Sequence, residues 1–470
     1  METNPINESQ KTRQKVMWYS FAAVLGGCIL TTLISMAVNP YESATSMFFQ
    51  WFTDTYMDFF NCVSQNYART IYTSIKSIYP PLMNLMYMVL GFFIPHMDPR
   101  PLSQSAEGIC LFYIVHISCT LLFLFSVWLN CKGLSTRKRI ITVLLSTVSL
   151  PVIFCFERGN SIILAVACIL FFNVLYKSPV RYRRHAGLLL LAVAANMKFW
   201  PALFGLVLIK EKRWKDAAFC VLYGVLLFVL PMMIYAGFET PFILAENIKA
   251  ASAQLNDWGI GYKINWGNFF RILERAYGLS VPGFTVNIMA AVVGICALIT
   301  RRKAGLYLGI ALICTGFPAF SFNYNGLYLF LPICAYLILR DDISICDIIM
   351  MILLAFAISP IGINLLGSFY PLSLPGEGQH LNLSTCVSCV SVFVMSVLFV
   401  CETIWRTIRE RHISIWFIKQ ECELAGNSQT MTVSRREKVI VIGVVLIFVI
   451  FSCWAIGKAL YPDGASWVVK

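Results

Sequence analysis

The sequence predicts an all-α, polytopic membrane protein, and three observations predict it. Of 470 residues, 58% are hydrophobic and 13% charged, whereas soluble domains carry about 25% charged residues. Mean hydropathy is +0.71. Apolar runs repeatedly approach the ~20 residues that a helix needs to cross a bilayer, and short basic blocks separate them. Too few charges remain to clothe a soluble globule of this length. That excludes a cytosolic enzyme, a disordered chain and a nucleic-acid-binding module.

The net charge of +13 sits in blocks between the apolar runs, as cytoplasmic loops require, and so orients the chain rather than binding nucleic acid. Residues 1–15 read as a cytoplasmic N-terminus bearing Lys11, Arg13 and Lys15. Residues 16–38 read as an uncleaved first span, because the run is long for a signal peptide and no small-residue cleavage site follows. The blocks Arg137-Lys138-Arg139, Arg181 to Arg184, Lys210 to Lys215 and Arg301-Arg302-Lys303 are assigned to the cytoplasm. Counting the proline-bounded run 80–95 as a crossing would invert all of them, so it is expected to be re-entrant or interfacial.

Further spans are then expected at 108–130, 140–156 and 161–176, in a hairpin from 186 to 210, and at 216–238, 284–300, 304–322, 326–340, 342–366, 384–405 and 438–458. The total is about 13 crossings. The membrane region 16–405 holds two outward loops, 39–107 and 239–283, both rich in aromatic residues that suit a membrane interface or the face of a sugar ring. The first is expected to contain interfacial helices. Residues 406–437 form a cytoplasmic loop with a short amphipathic helix at 413–418, and 438–470 carry the last span and an outward tail.

The 17 cysteines lie mostly inside apolar runs without metal-binding spacing, and read as small buried hydrophobes. His116 reads as a core residue. No glycine-rich nucleotide loop and no nucleophile elbow occurs, so neither a nucleotide nor any other cofactor is expected.

The charges that interrupt apolar sequence are expected on one face of the membrane, where each is a functional candidate. Asp54 and Asp58 are spaced to share one face of a helix; paired carboxylates serve as base and orienting group, or as metal ligands, or simply as solvated acids. Arg158, in FERGN, and Lys198, in NMKFWP, suit an anionic phosphate, the first by bidentate contact and the second as a point charge. Arg158 could equally pair with Glu157, and Lys198 could snorkel. Asn323, Tyr324 and Asn325 mark a later outer turn.

These residues resemble glycosyltransferase family 87, a branch of the membrane-embedded GT-C enzymes that use polyprenyl-phosphate mannose. The turn Arg158-Gly159-Asn160, the apolar run ERGNSIILAVACILFF and the K-x-x-P from Lys198 to Pro201 carry the most specific part of the likeness. The segment from Asp58 to Leu82, with its DFF and YPPL, resembles the family's opening, and PAFSFNYNGLYLFLP its late motif. Where that motif commonly carries a histidine after an acidic residue, this chain has Asn323 and Tyr324.

The resemblance implies a GT-C-type helix bundle. It implies an inverting transfer of a hexose, mannose in the family, from a polyprenyl-phosphate donor to a glycolipid or glycan acceptor on the outer face, without metal or nucleotide. Asp58, before the aromatic pair, takes the place of the general base, with Asp54 as its alternative. Arg158, Lys198, Asn160 and Tyr324 fall to the donor phosphate, and Trp258, Tyr262 and Trp266 to the acceptor or sugar. The membrane implied is the bacterial cytoplasmic membrane, or the endoplasmic reticulum in a eukaryote. Two other classes compete: a secondary transporter, which would place charges near mid-span, and a polymerase or ligase of lipid-linked oligosaccharides, which would not require Asp58 or the K-x-x-P.

Overall fold

The computed structural model describes residues 8–45, 47–48, 54–65, 70–257, 261–340, 342–362, 373–374, 377–380 and 382–409. Trp258, the amphipathic helix at 413–418 and the last span at 438–458 lie outside them. Among the described residues the regular structure is helical except for Ser373–Leu374, paired antiparallel with Glu377–His380, and an isolated antiparallel bridge between Lys263 and Phe322. Among the described residues, four helices are long and apolar enough to cross a membrane: Glu8–Val38, Ala106–Asn130, Trp214–Met232 and Leu383–Arg409. A fifth crossing results if Thr136–Thr147 and Leu150–Arg158 count as one span. Other expected spans are shorter helices, such as Ile162–Leu175, Phe284–Ile299 and Lys303–Gly316. Thus the described residues give a multi-helix membrane architecture without the full count of crossings.

The chain divides into two units. One comprises Met1–Met47, Gly133–Leu145 and Gly259–Lys470. Within it, the helix Leu383–Arg409 packs on Ile345–Ala357, Phe284–Ile299, Lys303–Gly316 and Trp266–Tyr277. In lipid, where burial from water drives nothing, close backbone approach and internal polar contacts hold helices together. Gly316 lies directly under the Trp266 ring, where an added Cβ would fall 2.3 Å from Cε2.

The same unit buries a charge network that sequence reading passed over. Arg302 grips Asp347 through both guanidinium nitrogens, at 2.7 and 3.1 Å, and Asp347 closes a capping box with Ser344. Glu402 accepts from Arg406 at 2.9 Å and from Ser344 at 3.2 Å. The charges compensate one another, which is the condition for keeping them buried.

The second unit comprises Phe48–Lys132 and Ser146–Trp258. The helix Arg181–Met197 packs between Ile162–Leu175 and Trp214–Met232, and Ala106–Asn130 packs on Ile162–Leu175. The loop 39–107 folds partly into the helix Met57–Gln65, and the run expected to be re-entrant forms the helix Pro81–Gly91. At 11 residues that helix is about 16 Å long, roughly half the hydrocarbon thickness. Prolines set its start: Pro81 opens it at a position whose N–H would be unpaired anyway.

Candidate active site

The candidate site assembles where the FERGN turn meets the loop 39–107, all within the second unit. The helix Leu150–Arg158 ends in a Schellman motif: Asn160 N–H donates to Cys155 O at 3.0 Å and Gly159 N–H to Phe156 O at 3.1 Å. Gly159 takes φ +70°. Two constraints select glycine, since a Cβ there would also stand 2.8 Å from Phe59 Cβ and 3.1 Å from Tyr56 O.

This turn delivers Arg158 and Asn160 to the two aspartates. Arg158 Nη2 donates to Asp58 Oδ1 at 2.6 Å, while Nη1 donates to Asp54 Oδ2 at 2.5 Å and to the Asp54 carbonyl at 3.0 Å. Asn160 Nδ2 donates to Asp58 Oδ2 at 2.8 Å. The orientation of that amide is set locally, because its Oδ1 accepts from Ile162 N–H at 3.1 Å at the start of the next helix. Each Asp58 oxygen therefore accepts one of these hydrogen bonds and keeps a second lone pair.

Asp54 and Asp58 converge by a route other than a shared helical face. Asp58 lies in the first turn of Met57–Gln65, but Asp54 precedes the helix, and Tyr56 between them is left-handed at φ +64°. Such a conformation in a non-glycine residue costs on the order of 1–3 kcal/mol and persists where neighbours impose it. Here Tyr56 N–H donates to Glu157 O at 2.7 Å, and its ring lies 4.1 Å from that of Phe112. Beneath, Phe59, Phe60, Phe112 and His116 stack with less than a few per cent exposure. His116 Nδ1 hydrogen-bonds Phe112 O at 3.2 Å.

Lys198 caps the helix Arg181–Met197 in extended conformation, and Pro201 then opens a 3-10 turn, Trp200–Gly205. The ammonium stands 4.3 Å from the centre of the Tyr79 ring. It is half-buried, and burial lowers its pKa while the charge of Asp58 raises it. Sequence reading noted Tyr79 only as part of YPPL; its place under a cation was not signalled by its spacing.

Tyr324, Tyr262 and Trp266 belong to the other unit. Asn323 N–H donates to Tyr262 O at 2.9 Å, and the Asn323 side chain bonds Thr385 Oγ1 at 3.0 Å. Tyr324 leans on Phe322 and is mostly buried. Trp266 has no exposed surface, and its indole N–H donates to Ser396 Oγ at 3.0 Å. That side chain lies in the interior of its unit. Among the described residues, no group of three or more His, Cys, Asp or Glu side chains is placed to hold a metal ion.

A family model described as glycosyltransferase family 87 matches residues 77–317, just over half of the chain. The match takes in Tyr79, Arg158, Asn160 and Lys198 and begins after both aspartates. No curated protein and no solved structure matches significantly. With just over half of the chain matched and four apolar helices of membrane-crossing length among the described residues, the chain belongs to glycosyltransferase family 87 and is a membrane glycosyltransferase.

Proposed function

We propose that the protein moves a hexose, mannose in the first instance, from a polyprenyl-phosphate donor to a glycolipid or glycan acceptor, on the outer face of the membrane and with inversion. One observation carries the reading: the Asp58 carboxylate is held from two sides, by Arg158 and Asn160, with a lysine close enough for its charge to act. In this reaction the acceptor hydroxyl oxygen bonds to the anomeric carbon as its proton passes to Asp58. The bond from the anomeric carbon to the phosphate oxygen breaks, and that oxygen leaves with the electron pair. The leaving group is already an anion, so a fixed cation suffices and no acid is needed.

Lys198 is the cation we assign to the phosphate. Arg158 would have to abandon both carboxylates to take that role, so we assign it, with Asn160, to aiming Asp58. Asp54 shares Arg158 and neutralises it.

The test is a transfer assay with purified protein in lipid, radiolabelled polyprenyl-phosphate mannose and a membrane-lipid extract, run beside Asp58→Asn. Label reaching a new product with the wild type alone supports the whole reading. Equal transfer by both removes Asp58 as base. No transfer with any of a panel of lipid-phosphate sugars sinks the donor assignment, and returns the transporter or ligase reading.

A further inference from the structure

Lys198 has a partner that its sequence position does not reveal. The face of the Tyr79 ring meets its ammonium at 4.3 Å, well inside the ~6 Å over which a ring quadrupole attracts a cation. Other groups whose charge bears on the ammonium are Asp58 and Cys62, from the helix Met57–Gln65, and Cys155, from Leu150–Arg158. Cys62 is pushed up to about 12, first by burial and then by Asp58, so it adds no charge at neutral pH.

Tyr79 is held unusually firmly for a residue in a loop. Its carbonyl accepts from Tyr72 Oη at 2.8 Å and from Asn84 Nδ2 at 3.3 Å. Its N–H donates to Ser77 Oγ at 3.3 Å, and Ser77 Oγ in turn donates to Asn84 Oδ1 at 3.2 Å. The strap is also tied from the helix Thr240–Asp257, where Asn247 Nδ2 donates to Tyr72 O at 2.8 Å and to Ser77 O at 3.2 Å. The ring packs edge-on against Tyr87, with centroids 6.0 Å apart. So many restraints on one backbone fix where the ring face points.

We propose that Tyr79 is a positioning residue for Lys198: its ring face holds the protonated ammonium in place to meet the donor phosphate. The phosphate half of this rests on the function proposed above, but the Tyr79–Lys198 coupling does not. The phenol oxygen is dispensable in this role, since the aromatic face supplies the attraction and phenylalanine has the same face.

The experiment reads the lysine directly. Protein in detergent is labelled with acetic anhydride across a pH series, and the peptide containing Lys198 is quantified by mass spectrometry. The midpoint of its reactivity is the pKa of that amine. Removing the ring removes a preference for the charged form, so Tyr79→Leu is expected to lower the midpoint by about half a unit to one unit. Tyr79→Phe is expected to leave it in place. If Tyr79→Leu does not fold, Tyr79→Met, of similar reach, takes its place.

An unchanged midpoint in the ringless variant overturns the proposal, as does a Tyr79→Phe midpoint that falls as far as that of Tyr79→Leu. In the transfer assay, Tyr79→Leu should raise the donor KM at least tenfold with kcat nearly kept, and Tyr79→Phe should behave as the wild type. A purely structural role would lower kcat for every variant in proportion to its folded fraction. A shifted midpoint in a protein that transfers no lipid-phosphate sugar would leave the coupling standing and remove the donor reading alone.

Discussion

Gly159 packs directly against Phe59: a Cβ on the glycine would lie 2.8 Å from the Cβ of the phenylalanine. The contact sets the spacing between the FERGN turn and the helix that bears Asp58. Gly159→Ala must both hold a left-handed backbone, at about 1–2 kcal/mol, and push that helix away. Transfer is expected to fall by more than the loss of folded protein explains. Gly159→Asn separates the two causes, since asparagine tolerates the left-handed region but keeps the clash. Comparable damage from both variants, measured as kcat per folded molecule, supports the contact; full activity in Gly159→Asn would refute it.

The two aspartates should respond unequally to amidation. Asp58 accepts from Asn160 as well as Arg158, whereas the Asp54 carboxylate accepts from the Arg158 guanidinium. Losing a general base costs about 10²–10⁴ in rate, so Asp58→Asn is expected to show that loss in kcat with KM for the donor little changed. Asp54→Asn should cost about tenfold or less, through a less firmly held Arg158. Reversal of this order would move the base to Asp54.

Removing the guanidinium leaves two carboxylates together. Arg158→Met is expected to destabilise the second unit by about 3–5 kcal/mol, the usual cost of breaking a largely buried ion pair from one side. Adding Asp54→Asn removes one of the stranded charges, and thermal unfolding in detergent should then recover part of the loss. Activity should not recover, because nothing aims Asp58. Strict additivity of the two substitutions would mean that the groups do not interact.

Much of this site could be read in the chain before folding was considered. Asp58 before two phenylalanines, the glycine between Arg158 and Asn160, and the lysine three residues before Pro201 are local patterns, and each lies where a helix must start or stop. What could not be read depends on the path of the backbone. The spacing of Asp54 and Asp58 suggested one helical face, but Tyr56 takes a strained left-handed turn that only its packing on Phe112 and its bond to Glu157 O impose. Arg158 and Lys198 looked alike as cations; the fold gives one to carboxylates and the other to a ring. Trp266 stood out as an exposed-loop aromatic and proved to be buried, because the distant Gly316 makes room for it. The expected crossings, about 13, are matched only in part among the described residues, where several of the expected spans are helices of 10–17 residues, since apolar composition marks burial in protein as well as in lipid.

With Lys198 on the donor phosphate, as proposed, the reaction should have an alkaline limit. Burial lowers the Lys198 pKa from the ordinary 10.5, with Asp58 acting in the opposite direction. Only the protonated amine binds phosphate well, so donor kcat/KM should be full below that pKa and fall as pH rises through it, earlier than for an ordinary lysine. Lys198→Arg keeps its charge throughout and should move the limit to higher pH while lowering the maximum, since the fork does not match the geometry of an ammonium. Coincident alkaline limbs for the two proteins would show that another group sets the limit.

The buried Trp266 can be tested for packing against sugar contact by a double-mutant cycle. Gly316→Ala places a methyl group 2.3 Å from its ring, and overpacking of that kind costs about 1–3 kcal/mol. Trp266→Phe alone gives up the 3.0 Å bond to Ser396 Oγ, for about 1 kcal/mol; the Ser396 hydroxyl still donates to Val392 O at 2.7 Å. Phenylalanine leaves room for the added methyl, so the double variant should unfold at a higher temperature than the sum of the single losses allows. Specific activity of the folded fraction should stay level in all three. A Trp266→Phe variant with wild-type melting but a raised acceptor KM would instead place the indole against the sugar, and would require the buried ring to turn out of its unit when substrate binds.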